Sequence, residues 1–242
     1  MKIVKYKKLK ENKYEVYLEN DSKIILYEDV ILKEELLLKK EINDILKLTK
    51  INEEYEIYDV ALKYLNHHVA SVKGMKEYLE KKKYSLQNID KIVDKIICKG
   101  YLNDENYAKC YINNQINLSN DGPLKIKKHL EDNDISSNIY NKYLNQYNNI
   151  WNERINRYVT KQKKTNKKSM YYFKGKMLIN LVNLGYEKDM IDEVLNHVTI
   201  DNISELKELE KNKIRKKLER KYRGNELERK IKEKLWQKGF FD

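Results

Sequence analysis

The stretch GPLKIKKHLEDNDI, residues 122–135, carries the pattern from which the fold of the whole chain is deduced. Ile126 and Leu130 are four residues apart, so a helix places them one turn apart on the same face. Pro123 suits the first turn of that helix, where a backbone N–H is not needed. Ile135 follows five residues after Leu130, beyond a polar turn. The stretch therefore predicts a short amphipathic helix that ends in a tight turn.

The same pattern occurs three more times, at intervals of roughly 50 residues, which is typical of a repeat protein. In each copy a leucine is preceded, four residues earlier, by Met or Ile and followed, five residues later, by another apolar side chain. The four sets are Met75, Leu79 and Tyr84; Ile126, Leu130 and Ile135; Met177, Leu181 and Tyr186; and Ile231, Leu235 and Phe240. Small helical repeats contact mainly their neighbours, so this pattern favours an extended body over a single core.

Between the leucine and the following apolar residue, each copy needs one residue in a left-handed conformation. Gly185 and Gly239 hold that position in two copies, and glycine adopts the conformation readily. Asp134 and Lys83 hold it in the other two, where it is less favourable. Another amphipathic helix follows the turn in three copies. Its corresponding core positions include Ile89, Tyr140 and Ile191, and also Val93, Leu144 and Leu195.

Strand-like alternation is confined to about the first 28 residues, where 14–18 and 24–27 flank the turn-forming Asn20-Asp21-Ser22. We therefore predict a mainly α fold: an elongated array of tandem three-helix repeats with a small N-terminal β-hairpin or meander. The predicted domains are 1–57, the hairpin with short helices; 58–102, 103–148 and 149–200, helical repeats 1 to 3; and 201–242, a fourth repeat without its third helix.

The formal net charge of +12 favours a polyanionic partner, meaning nucleic acid or an acidic membrane face. A protein from an organism with Lys-, Asn- and Ile-rich proteins would show the same excess. No apolar run approaches the length of a membrane span, and the N-terminus has no signal-peptide core. Cys98 and Cys110 match no metal spacing and are expected to be reduced thiols. We expect a cytoplasmic protein without a membrane partner.

No catalytic motif is recognisable, so we expect no enzyme activity, no cofactor and no metal. His67 and His68 are sequence neighbours on different helix faces, which is a poor arrangement for chelation. Asp104 and Glu105 suggest a metal pair, but acidic residues are also favoured at a helix N-terminus by the helix dipole.

The basic segment 154–176 is the main candidate for binding, because it contains nine cations, no acid, and several aromatic residues. Its cations are Arg154, Arg157, Lys161, Lys163, Lys164, Lys167, Lys168, Lys174 and Lys176. The alternative is that its aromatics belong to the core and its lysines to a solvated turn; the spacing of Tyr158 favours a core role for that residue. Lys125, Lys127 and Lys128 are further candidates on the outer side of their helix. A second tract, 207–234, interleaves acids with its cations, which favours solvated ion pairs.

Two segments resemble signatures of the RecX family, bacterial regulators of the RecA recombinase. Residues 100–108, GYLNDENYA, resemble the family's glycine–aromatic–acidic segment, and 122–130, GPLKIKKHL, resemble its Gly-Pro-x-x-Ile-x-x-x-Leu signature. The motif residues are Gly100, Leu102, Asp104, Tyr107, Ala108, Gly122, Pro123, Ile126 and Leu130. All of them suit architectural roles: glycine closes a helix, Asn103 or Asp104 caps one, and Pro123 starts one. Gly74, where other copies have lysine, and Asp134, where glycine is expected, depart from the pattern.

The resemblance implies a non-enzymatic protein that binds the RecA recombinase and its filament on single-stranded DNA, and so restrains ATP hydrolysis, strand exchange and co-protease activity. We expect such a protein to be monomeric. Two other functions remain open from the sequence. One is a helical-repeat protein that binds DNA or RNA directly, and the other is a protein scaffold whose binding to nucleic acid is weak and insensitive to salt.

Overall fold

The computed structural model describes residues 1–241, which form two compact units. The first is Met1–Tyr107, and the second begins at Ala108 within a helix. The fold is mainly α with a small antiparallel sheet at the N-terminus, which confirms the predicted fold class.

The N-terminal sheet is a three-stranded meander in which β1 (Ile3–Lys8), β2 (Lys13–Leu18) and β3 (Lys23–Tyr27) pair in that order. Val16 stands opposite Tyr6 on one side and Ile24 on the other. One face of the sheet is buried against α1 (Glu28–Lys33) and α2 (Leu36–Lys39). The predicted meander is therefore confirmed, with β1 as its third strand.

A long helix, α3 (Ile45–Leu65), belongs to two cores. Its first half packs Leu48 and Ile51 against the sheet, whereas its second half packs Ile57 and Ala61 against the next helices. The predicted domain limit after residue 57 therefore falls inside one continuous helix. The helix does not break there because its apolar spacing continues while its packing partner changes.

The remaining helices follow the predicted order of two or three per repeat. They are α4 (Val72–Lys81), α5 (Leu86–Cys98), α6 (Asp104–Leu118), α7 (Pro123–Asp132), α8 (Ser137–Leu144), α9 (Trp151–Lys163), α10 (Met170–Asn183), α11 (Lys188–Asn196), α12 (Ile203–Leu218) and α13 (Gly224–Gln237), with a 3-10 helix over Asn145–Ile150. Within repeat 1, α3, α4 and α5 contact one another, and within repeat 3, α11 packs on both α9 and α10.

The repeating leucines are the buried anchors of these helices, as predicted. Leu79, Leu130 and Leu181 are fully buried and Leu235 is nearly so; the residue one turn earlier in each helix is buried too. Each anchor also accepts a backbone hydrogen bond from the residue five positions later, or from its turn: Ile135 N donates to Leu130 O at 2.9 Å and Tyr186 N donates to Leu181 O at 3.1 Å.

The turns after Leu130, Leu181 and Leu235 are Schellman motifs, which explains why an apolar residue follows five positions after the leucine. The motif brings that residue into contact with the last turn of the helix. It requires a left-handed residue, and φ is +85° at Gly185 and +71° at Gly239. Lys83 (+69°) and Asp134 (+58°) adopt the same conformation. The prediction for all four turns is thus confirmed.

The two family-like segments have the architectural roles predicted for them. Gly100 closes α5 with φ of +76°, and the Asn103 side chain caps α6 by accepting from the N–H groups of Glu105 and Asn106. Asp104 instead accepts from Val72 N at 2.8 Å, tying α6 to the start of α4. Pro123 lies in the first turn of α7.

Candidate nucleic-acid interface

The basic segment spans all but the first three residues of α9, the loop 164–169 and the first half of α10. The loop is held by Asn166, whose side chain accepts from Lys168 N at 3.1 Å and donates to Lys168 O at 2.8 Å. Lys164, Lys167 and Lys168 are exposed on it. A polar loop that is ordered by its own asparagine presents these ammonium groups without burying apolar surface.

Six lysines of the segment make no ion pair with any residue that the structure describes. They are Lys161, Lys164, Lys167, Lys168, Lys174 and Lys176, here called the unpaired lysines. On α7, in the preceding repeat, Lys125 is paired with Asp121 at 2.9 Å. Lys127 and Lys128 of that helix have no ion-pair partner within residues 1–241. Cations without acidic partners are the ones most available to phosphate groups.

The other three cations of the segment have hydrogen-bond or ion-pair partners, which lie either far away along the chain or one helical turn earlier. Arg157 pairs with Glu153 at 3.0 Å on the surface of α9, and Lys163 pairs with Asp201 at 2.9 Å. The segment itself contains no acidic residue, but acidic residues from outside it lie next to some of its cations.

Arg154, a predicted binding candidate, is engaged with the protein's own backbone and does not present its guanidinium at the surface as the other candidates do. Its guanidinium points inward and donates to the carbonyl oxygens of Ile116 and, at 2.9 Å, of Ser119. Those carbonyls lie at and just beyond the C-terminal end of α6, where no intrahelical donor reaches them. Tyr186 lies beside it with its hydroxyl donating to Asn120 O, and burial raises the pKa of this tyrosine while the nearby Arg154 opposes the shift.

The aromatic residues of the segment divide into a buried and an exposed set. Phe173 is buried and Tyr158 half-buried, as the alternative interpretation of the segment required. Tyr171 and Tyr172 are exposed by 62% and 48% of their surface. These two rings therefore remain available for contact with a ligand.

The end of α13 completes this surface, and the sequence reasoning missed it. Tyr172 donates its hydroxyl to Gln237 O at 2.9 Å, and the buried Ser169 donates to Lys238 O at 2.8 Å. Phe241 then lies against the ring of Tyr171, and Trp236 lies against Phe241. An unusual run of aromatics near the end of the chain was the available signal, although only Phe240 fitted the repeat.

A shallow groove of about 390 Å³ runs beside Tyr172 and is lined by four lysines. They are Lys167, Lys168, Lys176 and Lys238. One carboxylate, Glu210 of α12, also lines the groove. Its pKa is lowered mainly by the hydrogen bond from the Lys238 ammonium, and Lys213 also contributes. The groove is therefore strongly basic, with Glu210 ionised and held by Lys238.

The second basic tract is laced with ion pairs, as its interleaved acids predicted. Arg215 pairs with Glu228 at 2.5 Å, and Lys230 pairs with Glu233 at 2.9 Å. Lys211 and Lys213 pair with Glu208 and Glu210. These charges are already compensated on the surface, whereas other cations of the tract make no ion pair within residues 1–241: Lys216, Lys217, Arg220, Lys221, Arg223 and Lys232.

The structure describes no arrangement for metal binding or for crossing a membrane. Within residues 1–241, no three metal-ligating side chains are gathered at one point. None of the helices described is both long and apolar enough to cross a bilayer. Cys98 and Cys110 are free thiols.

The fold and this surface define the class: a helical-repeat protein with a basic surface that exposes several aromatic rings. No protein-family model matches the chain. A regulatory protein RecX from Bacillus cereus (strain 03BB102) is 30% identical over 203 residues, which cover 78% of this chain and 72% of that protein. A regulatory protein RecX from Listeria innocua is 26% identical over 256 aligned residues, which cover 99% and 93% of the two chains.

The chain belongs to the RecX family of regulatory proteins. Solved structures agree with this at the level of the fold. A crystal structure of RecX from Lactobacillus salivarius has a TM-score of 0.54 at 26% identity, covering 60% of this chain and 96% of that one. Another RecX crystal structure has a TM-score of 0.65 at 19% identity, covering 81% and 99%.

Proposed function

We propose that this protein is a non-enzymatic regulator that binds the RecA recombinase and its filament on single-stranded DNA. It inhibits the ATPase, strand-exchange and co-protease activities of that filament. Membership of a family of regulatory proteins supports this proposal, and the unpaired lysines are the observation that carries its nucleic-acid part. We further propose that it acts as a monomer in the cytoplasm, through the repeats 58–102, 103–148, 149–200 and 201–242.

The physical basis of binding is the contrast between paired and unpaired cations. Ammonium groups that bind phosphates release the counterions condensed on DNA, and those without an acidic neighbour do so without first breaking an ion pair. The unpaired lysines meet this condition, whereas five cations of the tract 207–234 are engaged with glutamates: Lys211, Lys213, Arg215, Arg229 and Lys230. The loop 164–169 and the start of α10 are therefore the contact with the DNA of the filament. Lys127 and Lys128 are a second contact on the preceding repeat.

The test is the ATPase rate of the cognate RecA on single-stranded DNA while the full-length protein is titrated in. We expect the rate to fall, with no ATP hydrolysis by the protein alone. A variant with Lys164, Lys167 and Lys168 changed to Gln should need a higher concentration for the same inhibition. An ATPase rate that stays constant at saturating protein would contradict the proposal.

The second candidate is direct binding of single-stranded DNA or RNA without a recombinase. The lysines and exposed rings favour it equally, because neither requires a filament. Binding measured with and without RecA separates the two functions. Affinity that does not change when the filament is assembled would support direct binding.

A further inference from the structure

We infer that Tyr171, Tyr172, Trp236 and Phe241 form a stacking platform for the unpaired bases of single-stranded DNA. This deepens the proposed function and rests on its nucleic-acid part. All four rings are exposed: 62% of Tyr171, 48% of Tyr172, 66% of Trp236 and 49% of Phe241. Four large aromatic side chains exposed together on one surface are costly in water unless they serve binding.

The four rings form one continuous cluster. Tyr172 meets Tyr171 edge to face with ring centroids 5.6 Å apart, Tyr171 meets Phe241 at 5.5 Å, and Phe241 meets Trp236 at 5.7 Å. The interplanar angles are 83°, 77° and 69°. In edge-to-face pairs the edge of one ring covers part of the face of the other, so broad ring faces remain open to solvent. Bases stack on such faces whatever their sequence.

The platform is ordered before any ligand binds. The hydroxyl of Tyr172 and that of Ser169 donate to two successive carbonyls, Gln237 O and Lys238 O. These bonds fix the start of α10 to the end of α13, so the aromatic residues of both helices are held together. A surface that is already rigid loses less conformational entropy on binding than a flexible one.

The charges around the platform favour DNA as its occupant over a protein. Tyr172 lines the basic groove with Lys167, Lys168 and Lys176, and Tyr171 lines the adjoining hollow with Lys174 and Lys176. The carboxylates of these two hollows are Glu210, which is held by Lys238, and Asp192 at the far side. Cations placed for phosphates beside rings placed for bases are the arrangement that single-strand binding uses.

The chain offers a direct optical test, because its two tryptophans differ in exposure. Trp151 is 2% exposed and Trp236 is 66% exposed. Unlabelled oligo(dT) titrated into the full chain should quench the emission of Trp236 as a base stacks on it. In the variant Trp236→Phe the remaining emission, from Trp151, should not respond, while most of the affinity persists because a ring is retained.

Affinity should be measured in parallel by anisotropy of labelled oligo(dT). Tyr171→Ala and Trp236→Ala should each weaken binding about tenfold. Their dependence on salt should stay that of the parent, because no charge is removed. Tyr101→Ala is the matched control, since Tyr101 is an aromatic residue exposed by 57% in the other unit. It should bind like the parent. Circular dichroism of each variant shows whether it is folded.

The proposal is overturned if oligo(dT) binds without quenching Trp236 and the folded alanine variants keep the parent affinity. Weaker binding of these variants to the RecA filament, with oligo(dT) affinity unchanged, would also overturn it, because the rings would then contact protein. Failure of the proposed function is seen separately, as a RecA ATPase rate that the parent protein does not change.

Discussion

Arg154 shows how a single cation can serve the fold of a basic protein while its neighbours serve the surface. Its guanidinium donates to the carbonyl oxygens of Ile116 and Ser119, at and just beyond the C-terminal end of α6. Lys164, ten residues later, is exposed and has no ion-pair partner in the part of the chain described. Both residues add one positive charge, but Arg154 contributes to the stability of the fold and Lys164 contributes to the charge of the surface.

Arg154→Ala is expected to lower the free energy of unfolding by about 2 kcal/mol, because it leaves backbone carbonyls without their charged donor. Urea unfolding followed by circular dichroism measures this. Arg157→Ala is the control, since Arg157 is exposed and holds a single surface ion pair. That change should cost under about 0.5 kcal/mol. Equal stability of the two variants would show that the inward hydrogen bonds of Arg154 contribute little.

The sequence could predict that the lysines of the loop 164–169 are exposed, because nothing apolar surrounds them. It could not separate Arg154, Arg157 and Lys163 from the others. Their partners are carbonyls near residue 116 and the carboxylates of Glu153 and Asp201. Two of these partners lie about 40 residues away, and only the packing of the repeats brings them close.

At the scale of elements, the junction between repeats 2 and 3 is a tight contact between two backbones. Gly122 N donates to Leu184 O at 2.7 Å, and Leu124 N donates to Gly185 O at 2.9 Å. A Cβ on Gly122 would lie 2.5 Å from Gly185 O. The Gly-Pro start of α7 is therefore set by the close approach of the next repeat's turn as well as by helix initiation.

Gly185→Ala is expected to destabilise the protein by about 2–5 kcal/mol, from left-handed strain and overpacking together. Its φ is +85°, and its new Cβ would lie 2.5 Å from Lys125 N. Thermal unfolding measures the loss.

Gly175→Ala provides the comparison within the same helical repeat. Its new Cβ meets nothing within 4 Å, and residue 175 lies in the interior of α10. Alanine there should stabilise the protein by about 1 kcal/mol, because it is the better helix former. If both glycine variants melt at the same temperature, the junction is not as tight as described.

Helices and turns were predictable because their signals are local: four-residue spacing for the buried face and a fifth position for the turn. The continuity of α3 across the predicted domain limit at residue 57 was not predictable, because this helix keeps its apolar spacing while it passes from one core to the next. A change of packing partner leaves no mark in the periodicity. The strand over residues 3–8 has a weaker signal, because its apolar residues Ile3, Val4 and Tyr6 do not alternate regularly with the lysines.

At the scale of the whole molecule, the net charge is +12, and the cations differ in whether an acidic residue pairs with them. The tract 207–234 has many lysines, but its glutamates hold several of them. Salt-dependent binding should therefore follow the unpaired lysines and not the local density of positive charge.

Two variants that remove the same charge test this. The first changes Lys164, Lys167 and Lys168 to Gln, and the second changes Lys211, Lys213 and Lys230 to Gln. For single-stranded DNA, the slope of log affinity against log salt should fall by about 2 in the first variant, at roughly 0.7 per phosphate contact. The second should stay near the parent slope. Anisotropy titrations at several salt concentrations measure both, and equal slopes would mean that only net charge matters.

The aromatic platform marks the limit of prediction from this sequence. Tyr171 and Trp236 are far apart along the chain, and each alone is a common surface residue. Only the bonds of Ser169 and Tyr172 to the end of α13 bring their helices together. The sequence predicts the cations, because they are close together along the chain. It does not predict the cluster of rings, because its members come from two repeats.

The bond from Ser169 to Lys238 has a consequence for how the protein is made. A ribosome that has just added Asn183, the last residue of α10, still has 55 residues to add to reach Lys238, which takes several seconds at about 5–20 residues per second. Until then the start of α10 has no carbonyl to accept from Ser169, and Tyr171 has no neighbouring helix to hold it. The nascent chain therefore leaves its third repeat unfinished at one end until α13 has been synthesised and completes it.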